Sequence, residues 1–440
     1  MYNIVFWMQQ GEVMKYFHSV TLDSEKCKGC TNCLKRCPTE AIRVRGGKAH
    51  IIAERCVDCG ECIRTCPYHA KIATTDNISV ISSFPYKIAL PAPSLYGQFK
   101  NLNSIGSLLG GLVAMGFDWV YEVARGADIV SAQMRKLLVS DHDHPLPLIS
   151  SACPAVVRLI QVRFPDLLPN VVDLLAPVEV AAKLAKEQFS KERGVPIEQI
   201  GAFFLTPCPA KMTSIRNPLG LEKSNVDGAI SILEIYGLLS GQMRHPGEEF
   251  QGDRASFAGI GWANSGGEST AVGCDNALAV DGIHNVIRVL EQIEDNKLSD
   301  LQFFEGLACQ GGCVGGALTF ENAYVAKNRI RRLVEKMQQS TKPARPETPD
   351  MDIAFTRSLP EQPVLKLDDD IGRAMEMMEH IERLTEGFKG LDCGSCGAPT
   401  CRALAEDIVK GQAVELDCIF KLKEKVNNLA RQMKDLSDMQ

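Results

Sequence analysis

The sequence predicts a multidomain protein in which an α+β domain, a larger α/β domain and a small, mainly α domain follow one another. A cysteine-rich repeat occurs twice near the start, on either side of a strand–turn–strand pattern. The central part alternates apolar, strand-like runs with helical segments, which is typical of α/β folds with parallel sheets. A last cysteine group precedes a helix with heptad spacing. At 440 residues the chain is longer than one core usually supports.

The domain boundaries follow from these patterns. We expect a tail at 1–19, the α+β domain at 20–79, the α/β domain at 80–338, a proline-rich linker or strap at 339–372, the small domain at 373–420 and an amphipathic helix at 421–440. Met14 is a second candidate start, which would leave residues 1–13 without a role.

Composition and charge exclude several classes of function. The hydrophobic fraction of 45% and the charged fraction of 23% are ordinary for a globular protein, and a net charge of −6 offers no attraction to nucleic acid or an anionic membrane. No apolar run could cross a bilayer, and the first residues lack the features of a signal peptide. We therefore expect a cytoplasmic protein. Disulfides are disfavoured there, so the 17 cysteines need another explanation.

The N-terminal cysteines form two copies of one motif, "CKGCTNCLKRCP" and "CVDCGECIRTCP". Each is the run that wraps a [4Fe–4S] cluster while its fourth cysteine binds the other cluster. Zinc knuckles use shorter ligand sets and do not need the trailing prolines. With "AIRVRGGKAHII" between the copies as strand, Gly-Gly turn and strand, a ferredoxin domain is expected. Its first cluster would use Cys27, Cys30, Cys33 and Cys66, and its second Cys56, Cys59, Cys62 and Cys37.

The C-terminal cysteines are Cys393, Cys396, Cys401 and Cys418. Their spacing resembles that of a single [4Fe–4S] module found beside redox proteins. Four thiolates could also hold zinc. Because the rest of the chain predicts redox cofactors, we expect a [4Fe–4S] cluster in this small domain.

Four central cysteines lie in turns that follow apolar runs: Cys153 in "LISSACPAVV", Cys208 in "FFLTPCPAK", and Cys309 and Cys313 in "GLACQGGCVGG". Strand-like runs such as "YKIALPAP", "LLPNVV" and "IGAFFLTP" alternate with helical segments such as "VEVAAKLAKEQFSKE" and "NAYVAKNRIRRLVEKM". Ligands of such folds bind outside the carboxyl ends of the strands. Four thiols from three loops are the number that a cubane cluster needs, and the glycines leave room for a bulky group.

Over roughly residues 20–335 the chain resembles the [FeFe]-hydrogenases. Their signatures TSCCP, MPCxxK and MACxxGCxxGG correspond to "SSACP" at 150–154, "TPCPAK" at 206–211 and "LACQGGCVGG" at 307–316. The resemblance implies a two-lobed domain with an H-cluster, a [4Fe–4S] cubane bridged to a diiron centre that carries CO, CN⁻ and a dithiolate amine. Cys153, Cys208 and Cys309 would bind the cubane, Cys313 would bridge the two parts, and Lys211 would donate to a cyanide.

The same resemblance implies a reaction and its partners. H₂ would be split heterolytically and reversibly into protons and electrons, and the electrons would leave through the [4Fe–4S] clusters. A redox partner such as a ferredoxin and maturation proteins for the diiron centre are also implied.

Several positions depart from the family pattern. The family's proton-relay cysteine is replaced by Ala152, which cannot titrate. Other replaced positions are Gln133, Met134, Val172, Thr206 and Leu307, and the family's Ser-Pro-Gln becomes Ala176, Pro177 and Val178. Loss of a positioned acid–base group typically costs about 10²–10⁴ in rate, so we expect a slow enzyme.

Two glutamates are candidates for the missing proton carrier. These are Glu179 and Glu268, although either could instead cap or pair locally. Cys274 is the one cysteine outside the groups; we expect a buried structural thiol, with a proton-relay role as the alternative.

A slow hydrogenase with a C-terminal cluster resembles the sensory branch of the family, so we expect an H₂ or redox sensor. A bulk hydrogenase with another proton path, and a non-catalytic iron–sulfur protein like the hydrogenase-related assembly factors, are alternatives.

The last helix carries a heptad seam of Ile419, Leu422, Val426, Leu429, Met433 and Leu436. This seam could pack on its own domain, form a homodimer or dock a separate signalling protein.

Overall fold

The computed structural model describes residues 5–9, 12–100, 102, 104–140, 145–244, 249–340, 351–362, 364 and 366–438. The chain forms two compact units. Unit 1 consists of Met1–Val20, Val57–Gly60 and Ala73–Gln362, and unit 2 consists of Thr21–Cys56, Glu61–Ile72 and Pro363–Gln440.

The strands and helices are numbered in chain order. The strands are β1 Val5–Gln9, β2 Glu12–Tyr16, β3 Val20–Leu22, β4 Ile42–Arg45, β5 Lys48–Ile51, β6 Lys71–Ala73, β7 Tyr86–Pro91, β8 Trp119–Val120, β9 Leu148–Ile149, β10 Ile200–Thr206, β11 Gly228–Ser231, β12 Ala277–Asp281 and β13 Phe303–Leu307. The helices are α1 Asn32–Lys35, α2 Glu61–Thr65, α3 Ile105–Ala114, α4 Val123–Ser140, α5 Pro154–Arg163, α6 Pro177–Arg193, α7 Pro209–Arg216, α8 Ile232–Arg244, α9 Phe257–Gly261, α10 Gly267–Val272, α11 Ile283–Glu294, α12 Ala323–Ser340, α13 Ile371–Glu386, α14 Cys401–Val409 and α15 Ile419–Asp438.

Two parallel sheets organise unit 1. One has the strand order β11-β10-β7-β8 and the other the order β12-β13-β9. Every residue of β10 is buried, as expected for a strand covered on both faces. The predicted two-lobed α/β class of the central domain is confirmed.

The predicted strands and helices of this unit are found, with one exception. "YKIALPAP" and "IGAFFLTP" contain β7 and β10, and the two helical segments become α6 and α12. The prediction of a strand at "LLPNVV" is wrong, because Pro165–Asn170 forms a 3₁₀ turn. Two prolines in that turn fix φ and remove backbone donors, and an isolated bridge joins Val171 to Ile149.

The sequence predicts no regular structure for the N-terminal tail or for the strap. In the structure, the tail contains a hairpin and the strap contacts the rest of unit 1. β1 and β2 form an antiparallel hairpin within the expected tail. Residues 351–362 of the expected strap form no helix or strand, but the carbonyl of buried Ile353 accepts a hydrogen bond from the Leu175 amide at 2.8 Å, and an isolated bridge joins Ala354 to Leu174. Residues 341–350 of that strap lie outside the described residues.

Unit 2 contains the ferredoxin segments and the C-terminal segment. β4 and β5 form the predicted hairpin, and both turn glycines adopt positive φ, 56° at Gly46 and 71° at Gly47, as a tight turn of this type requires. The C-terminal part is helical, in agreement with the predicted mainly α domain, and α13 packs against α14 through buried Ile381 and Leu404.

The C-terminal segment is fixed to the ferredoxin hairpin by buried polar contacts. The Asp407 carboxylate accepts hydrogen bonds from Arg43 Nε at 2.7 Å and from Arg45 Nη2 at 2.9 Å. The Val44 amide donates to the Gly397 carbonyl at 2.8 Å. These contacts join two regions more than 350 residues apart in sequence into one unit.

The exposure of the final helix decides against one of the three alternatives for its heptad seam. None of the residues of α15 is buried, and all six members of the heptad seam are among the exposed large apolar side chains of the described residues. The interpretation that this seam packs on its own domain is therefore wrong. Within the described part of the chain, no helix combines the length and apolarity needed to span a membrane.

Candidate functional site

Two of the central cysteines occupy matching positions in the two lobes. Cys153 follows β9 and is the residue before α5, and Cys208 follows β10 and is the residue before α7. Each is followed by proline in the first helical position, where the missing amide hydrogen costs nothing. Both thiols thus lie at carboxyl ends of parallel strands and at the positive ends of helices, where negative charge is favoured.

All four central cysteines line one cavity of about 100 Å³, whose other walls are mostly apolar. Lys211 also lines this cavity, and its Nζ donates to the Ala152 carbonyl at 2.8 Å. Ala152 and Leu307 are further lining residues, as are Pro177 and Val178. The cavity therefore collects the residues that the hydrogenase signatures single out.

The glycines around Cys309 and Cys313 let this loop lie directly on neighbouring backbone. Gly312 has φ 99°, and a Cβ there would lie 2.5 Å from the Ser265 nitrogen. A Cβ on Gly316 would lie 2.2 Å from the Pro207 carbonyl oxygen. Any larger residue would push the two thiols away from Cys208, so the glycines are needed to assemble the quartet.

The electrostatics of the quartet suit a metal cluster. Burial, together with the negative charge of neighbouring thiolates, raises the pKa of Cys208 and raises that of Cys313 to about 12. Four thiolates cannot share a cavity of low dielectric without a cation. Iron would provide the compensating charge, and thiolates are the usual ligands of iron–sulfur clusters. The donor set therefore fits the implied cluster.

A buried polar chain begins beside the position of the missing relay cysteine. The Ala152 amide donates to Ser150 Oγ at 3.2 Å, and Ser150 Oγ donates to the Glu268 carboxyl at 2.7 Å. Glu268 is 3% exposed and lines the same cavity as the cysteines. Of the two candidate glutamates, Glu268 is the one that the structure brings to the central cavity.

A second buried carboxylate, Glu305 on β13, lines this cavity as well. It accepts hydrogen bonds from the Gly266 amide at 2.9 Å and from the amide and hydroxyl of Ser269, both at 2.8 Å. Sequence reasoning missed this residue. The one available signal was a charged residue inside the apolar run "LQFFEGLA", where a buried strand otherwise excludes charge.

The two carboxyl groups differ in their surroundings. Burial, and then the nearby charge of Glu305, raises the pKa of Glu268 to about 8. Burial also raises the pKa of Glu305, but three donors from Ser269 and Gly266 oppose that shift. We infer that Glu268 holds a proton at neutral pH, and that the donors around Glu305 favour its charged form.

The remaining candidates lie elsewhere. Glu179 is buried on α6, and its carboxylate accepts hydrogen bonds from Ser224 Oγ at 2.6 Å and from the Asn225 amide at 2.8 Å. Its partners are therefore local. Cys274 is half-buried and its thiol contacts Gln302. Neither is among the residues lining the central cavity. Thr206 is buried, and its hydroxyl accepts from the Cys208 amide and fixes that turn.

Unit 2 contains two further cysteine-lined cavities. One is lined by Cys27, Cys30, Cys33 and Cys66, and the other by Cys393, Cys396, Cys401 and Cys418. The remaining set, Cys56, Cys59, Cys62 and Cys37, is divided between the units and stays a prediction from the motif. Within unit 1, Cys59 lines the central cavity, which gives that loop a place beside the quartet.

The Asp407 contacts lead to a stability prediction. Asp407→Ala would leave the buried guanidinium of Arg43 unpaired, and breaking such a pair typically costs about 3–5 kcal/mol. We expect a lower denaturant midpoint for unit 2, measured anaerobically by urea unfolding. Asp435→Ala, on the exposed helix α15, is the matched control and should change nothing; equal midpoints for both variants would contradict this role of Asp407.

Comparison with known proteins agrees with these features. The family "Iron only hydrogenase large subunit, C-terminal domain" matches residues 86–277 and 268–317, a "4Fe-4S dicluster domain" matches 19–67, and an Fe-S cluster family matches 390–420. These matches cover the three regions in which the cysteine groups lie.

Individual relatives are distant. The periplasmic [Fe] hydrogenase large subunit of Nitratidesulfovibrio vulgaris is 26% identical over 362 residues, which is 68% of this chain and 86% of the relative. The cytosolic Fe-S cluster assembly factor NAR1 homolog of Schizosaccharomyces japonicus is 32% identical over 97 residues, 22% of this chain and 19% of the relative. A solved apo [FeFe]-hydrogenase HydA1 variant from Chlamydomonas reinhardtii is 16% identical, with a TM-score of 0.48, and the match covers 60% of this chain and 87% of the other.

The family match spans more than half of the chain, and the whole cysteine quartet lies within it. Iron–sulfur cofactors are supported by all three domain matches. The chain therefore belongs to the iron-only hydrogenase family, with a 4Fe-4S dicluster domain ahead of its hydrogenase domain.

Proposed function

We propose that this protein is a slow [FeFe]-hydrogenase that senses H₂ or redox state. The observation that carries the proposal is the single buried cavity lined by Cys153, Cys208, Cys309, Cys313 and Lys211. An H-cluster, when bound there, would supply the heterolytic cleavage of H₂. Three further [4Fe–4S] clusters would conduct electrons.

The residues of the chain supply position, dryness and charge. Cys153, Cys208 and Cys309 would hold the cubane, and Cys313 would bridge it to the diiron centre. Lys211 brings one positive charge to a cavity that would otherwise concentrate negative ligands. Apolar walls such as Val178 and Leu307 would exclude water, which strengthens every charge interaction inside.

Protons would follow a path different from the usual cysteine relay. Glu268 holds a proton at the cavity wall, and Glu305 lies at the same wall, where it accepts three hydrogen bonds. The Gly266 amide that donates to Glu305 belongs to a residue that also lines a separate cavity of about 700 Å³, whose lining includes Asp128 and Arg135. This arrangement supports a route from the central cavity through Glu268 and Glu305 towards water.

Steady-state kinetics would test the proposed activity. We expect H₂ oxidation with an artificial electron acceptor at a rate roughly 10²–10⁴ below that of an enzyme with a cysteine relay, together with measurable H/D exchange. High turnover at saturating H₂ would favour bulk metabolism of H₂. Full iron content without any exchange would favour a non-catalytic role like that of the assembly factors.

We also propose that α15 forms a parallel homodimer. In the seam, Ile419 and Val426 occupy a positions and Leu422, Leu429 and Leu436 occupy d positions, a pattern that favours two parallel strands. Association would bury an apolar stripe that is exposed in the described chain.

Measurement of mass in solution by sedimentation tests this dimer. We expect Leu429→Asp to convert a dimer into a monomer, because a charge at a central d position cannot be buried. Asn427→Asp places the same charge outside the seam and should leave the dimer intact. Identical masses for Leu429→Asp and the unmodified chain would exclude the seam as the interface.

A further inference from the structure

Lys71 is a buried lysine whose charge has no counterpart in the described protein. It lies on β6, is 2% exposed and is among the largest fully buried side chains. Its Nζ has no hydrogen-bond partner among the described residues. A buried ammonium without a partner is very costly, so an anion has to lie beside it in the functional protein.

The surroundings of Lys71 identify that anion. Lys71 lines the cavity of Cys27, Cys30, Cys33 and Cys66. A [4Fe–4S] cluster held by four thiolates carries a net charge of about −2 when oxidised and about −3 when reduced. We propose that Lys71 is a tuning residue which places its ammonium against this cluster and makes it easier to reduce.

The lining of the cavity supports this placement. Cys33 and Cys66 belong to different motif copies, yet both line the cavity that Lys71 lines. The lysine therefore lies where ligands from the two copies meet.

The internal repeat provides a comparison within the chain. In the first copy the residues "CPTEAI" end in Ile42, and in the second copy the corresponding residues "CPYHAK" end in Lys71. Both residues are buried, with an exposed fraction of 2% each. The motif therefore tolerates an apolar residue at this position, and the lysine distinguishes one cluster site from the other.

Within unit 2, the Lys71 cavity lies close to the C-terminal cysteine loop. Val44 lines the Lys71 cavity, and its amide donates to the Gly397 carbonyl in that loop. A more reducible cluster beside Lys71 would hold an electron next to the C-terminal site.

Redox titration of the reconstituted, full-length protein, followed by EPR, tests the inference. With Lys71→Met, we expect the ratio of reduced to oxidised cluster at a fixed potential to fall at least about tenfold for one [4Fe–4S] signal, equivalent to about 59 mV. Lys71→Arg should retain the unmodified behaviour. Lys28→Met removes the same charge from an exposed residue of the same cavity and should change the ratio much less.

Iron and sulfide content, measured first, keeps the test decisive. If Lys71→Met loses iron, Lys71→Gln provides an uncharged variant that retains a polar side chain, and it should show the same tenfold change. Unchanged ratios at full iron content, or equal changes in Lys71→Met and Lys28→Met, would overturn the inference. The inference about Lys71 rests on the proposed ferredoxin ligand set and not on the H-cluster. It can therefore fail while the proposed H₂ chemistry stands, and it can stand while the proposed H₂ chemistry fails.

Discussion

Replacement of Cys313 by alanine is expected to abolish H₂ oxidation and H/D exchange. Cys313 is the proposed bridge between the cubane and the diiron centre. Apart from the proposed quartet, Cys59 is the one described cysteine in the lining of this cavity, so no spare thiol of the central domain could take the place of Cys313. The rate should fall to background, because the reaction depends on the diiron centre. H₂ consumption, measured by gas chromatography, and H/D exchange, measured by mass spectrometry, check this result.

A matched control separates loss of the centre from general damage. Cys274→Ala removes a half-buried thiol outside the central cavity and should retain the unmodified rate. In Cys313→Ala, the EPR signals of the ferredoxin clusters should persist, since their ligands lie elsewhere. Retention of more than a few per cent of the activity would contradict the bridging role.

Replacement of Glu268 by glutamine is expected to slow turnover by about 10²–10⁴, the usual worth of a positioned acid–base group. Glutamine keeps the shape of the side chain and can still accept the hydrogen bond from Ser150, but it cannot carry a proton. Steady-state H₂ production and oxidation measure this loss. The iron content should remain unchanged, because Glu268 is not a proposed ligand.

The pH dependence gives a second readout of the same residue. Since the pKa of Glu268 is raised to about 8, its protonated, donating form is present below that pH and is lost as the pH rises through it. H₂ production should therefore decline above about pH 8 in the unmodified enzyme, and this decline should be absent from the residual activity of Glu268→Gln.

Glu179→Gln is the control for the proton path. Glu179 is also buried but accepts hydrogen bonds from Ser224 and Asn225, so its replacement should affect stability more than rate. If Glu268→Gln keeps its rate within about threefold while Glu179→Gln loses activity, the proposed path is wrong.

The cysteine motifs and the strand–loop positions could be predicted from sequence because the chemistry constrains their spacing. Tandem ferredoxin motifs carry nearly all their ligands within a dozen residues. The four central thiols were predictable as a group because each follows an apolar run, and the fold brings the ends of such runs together.

Other features depend on tertiary contacts that no local pattern contains. Glu305 lies in an apolar strand, and only its donors on the neighbouring loop, Gly266 and Ser269, distinguish it from a misplaced charge. Lys71 resembles an ordinary surface lysine until its burial is known. The prediction for "LLPNVV" failed because proline geometry outweighed β-propensity.

The infrared spectrum of anaerobically matured, full-length protein tests the central claim most directly. If the quartet of Cys153, Cys208, Cys309 and Cys313 anchors a diiron centre, the spectrum should contain CO and CN⁻ stretching bands that are absent from Cys313→Ala and present in Cys274→Ala. A sample with full iron content but no such bands, or bands that persist unchanged in Cys313→Ala, would contradict this account.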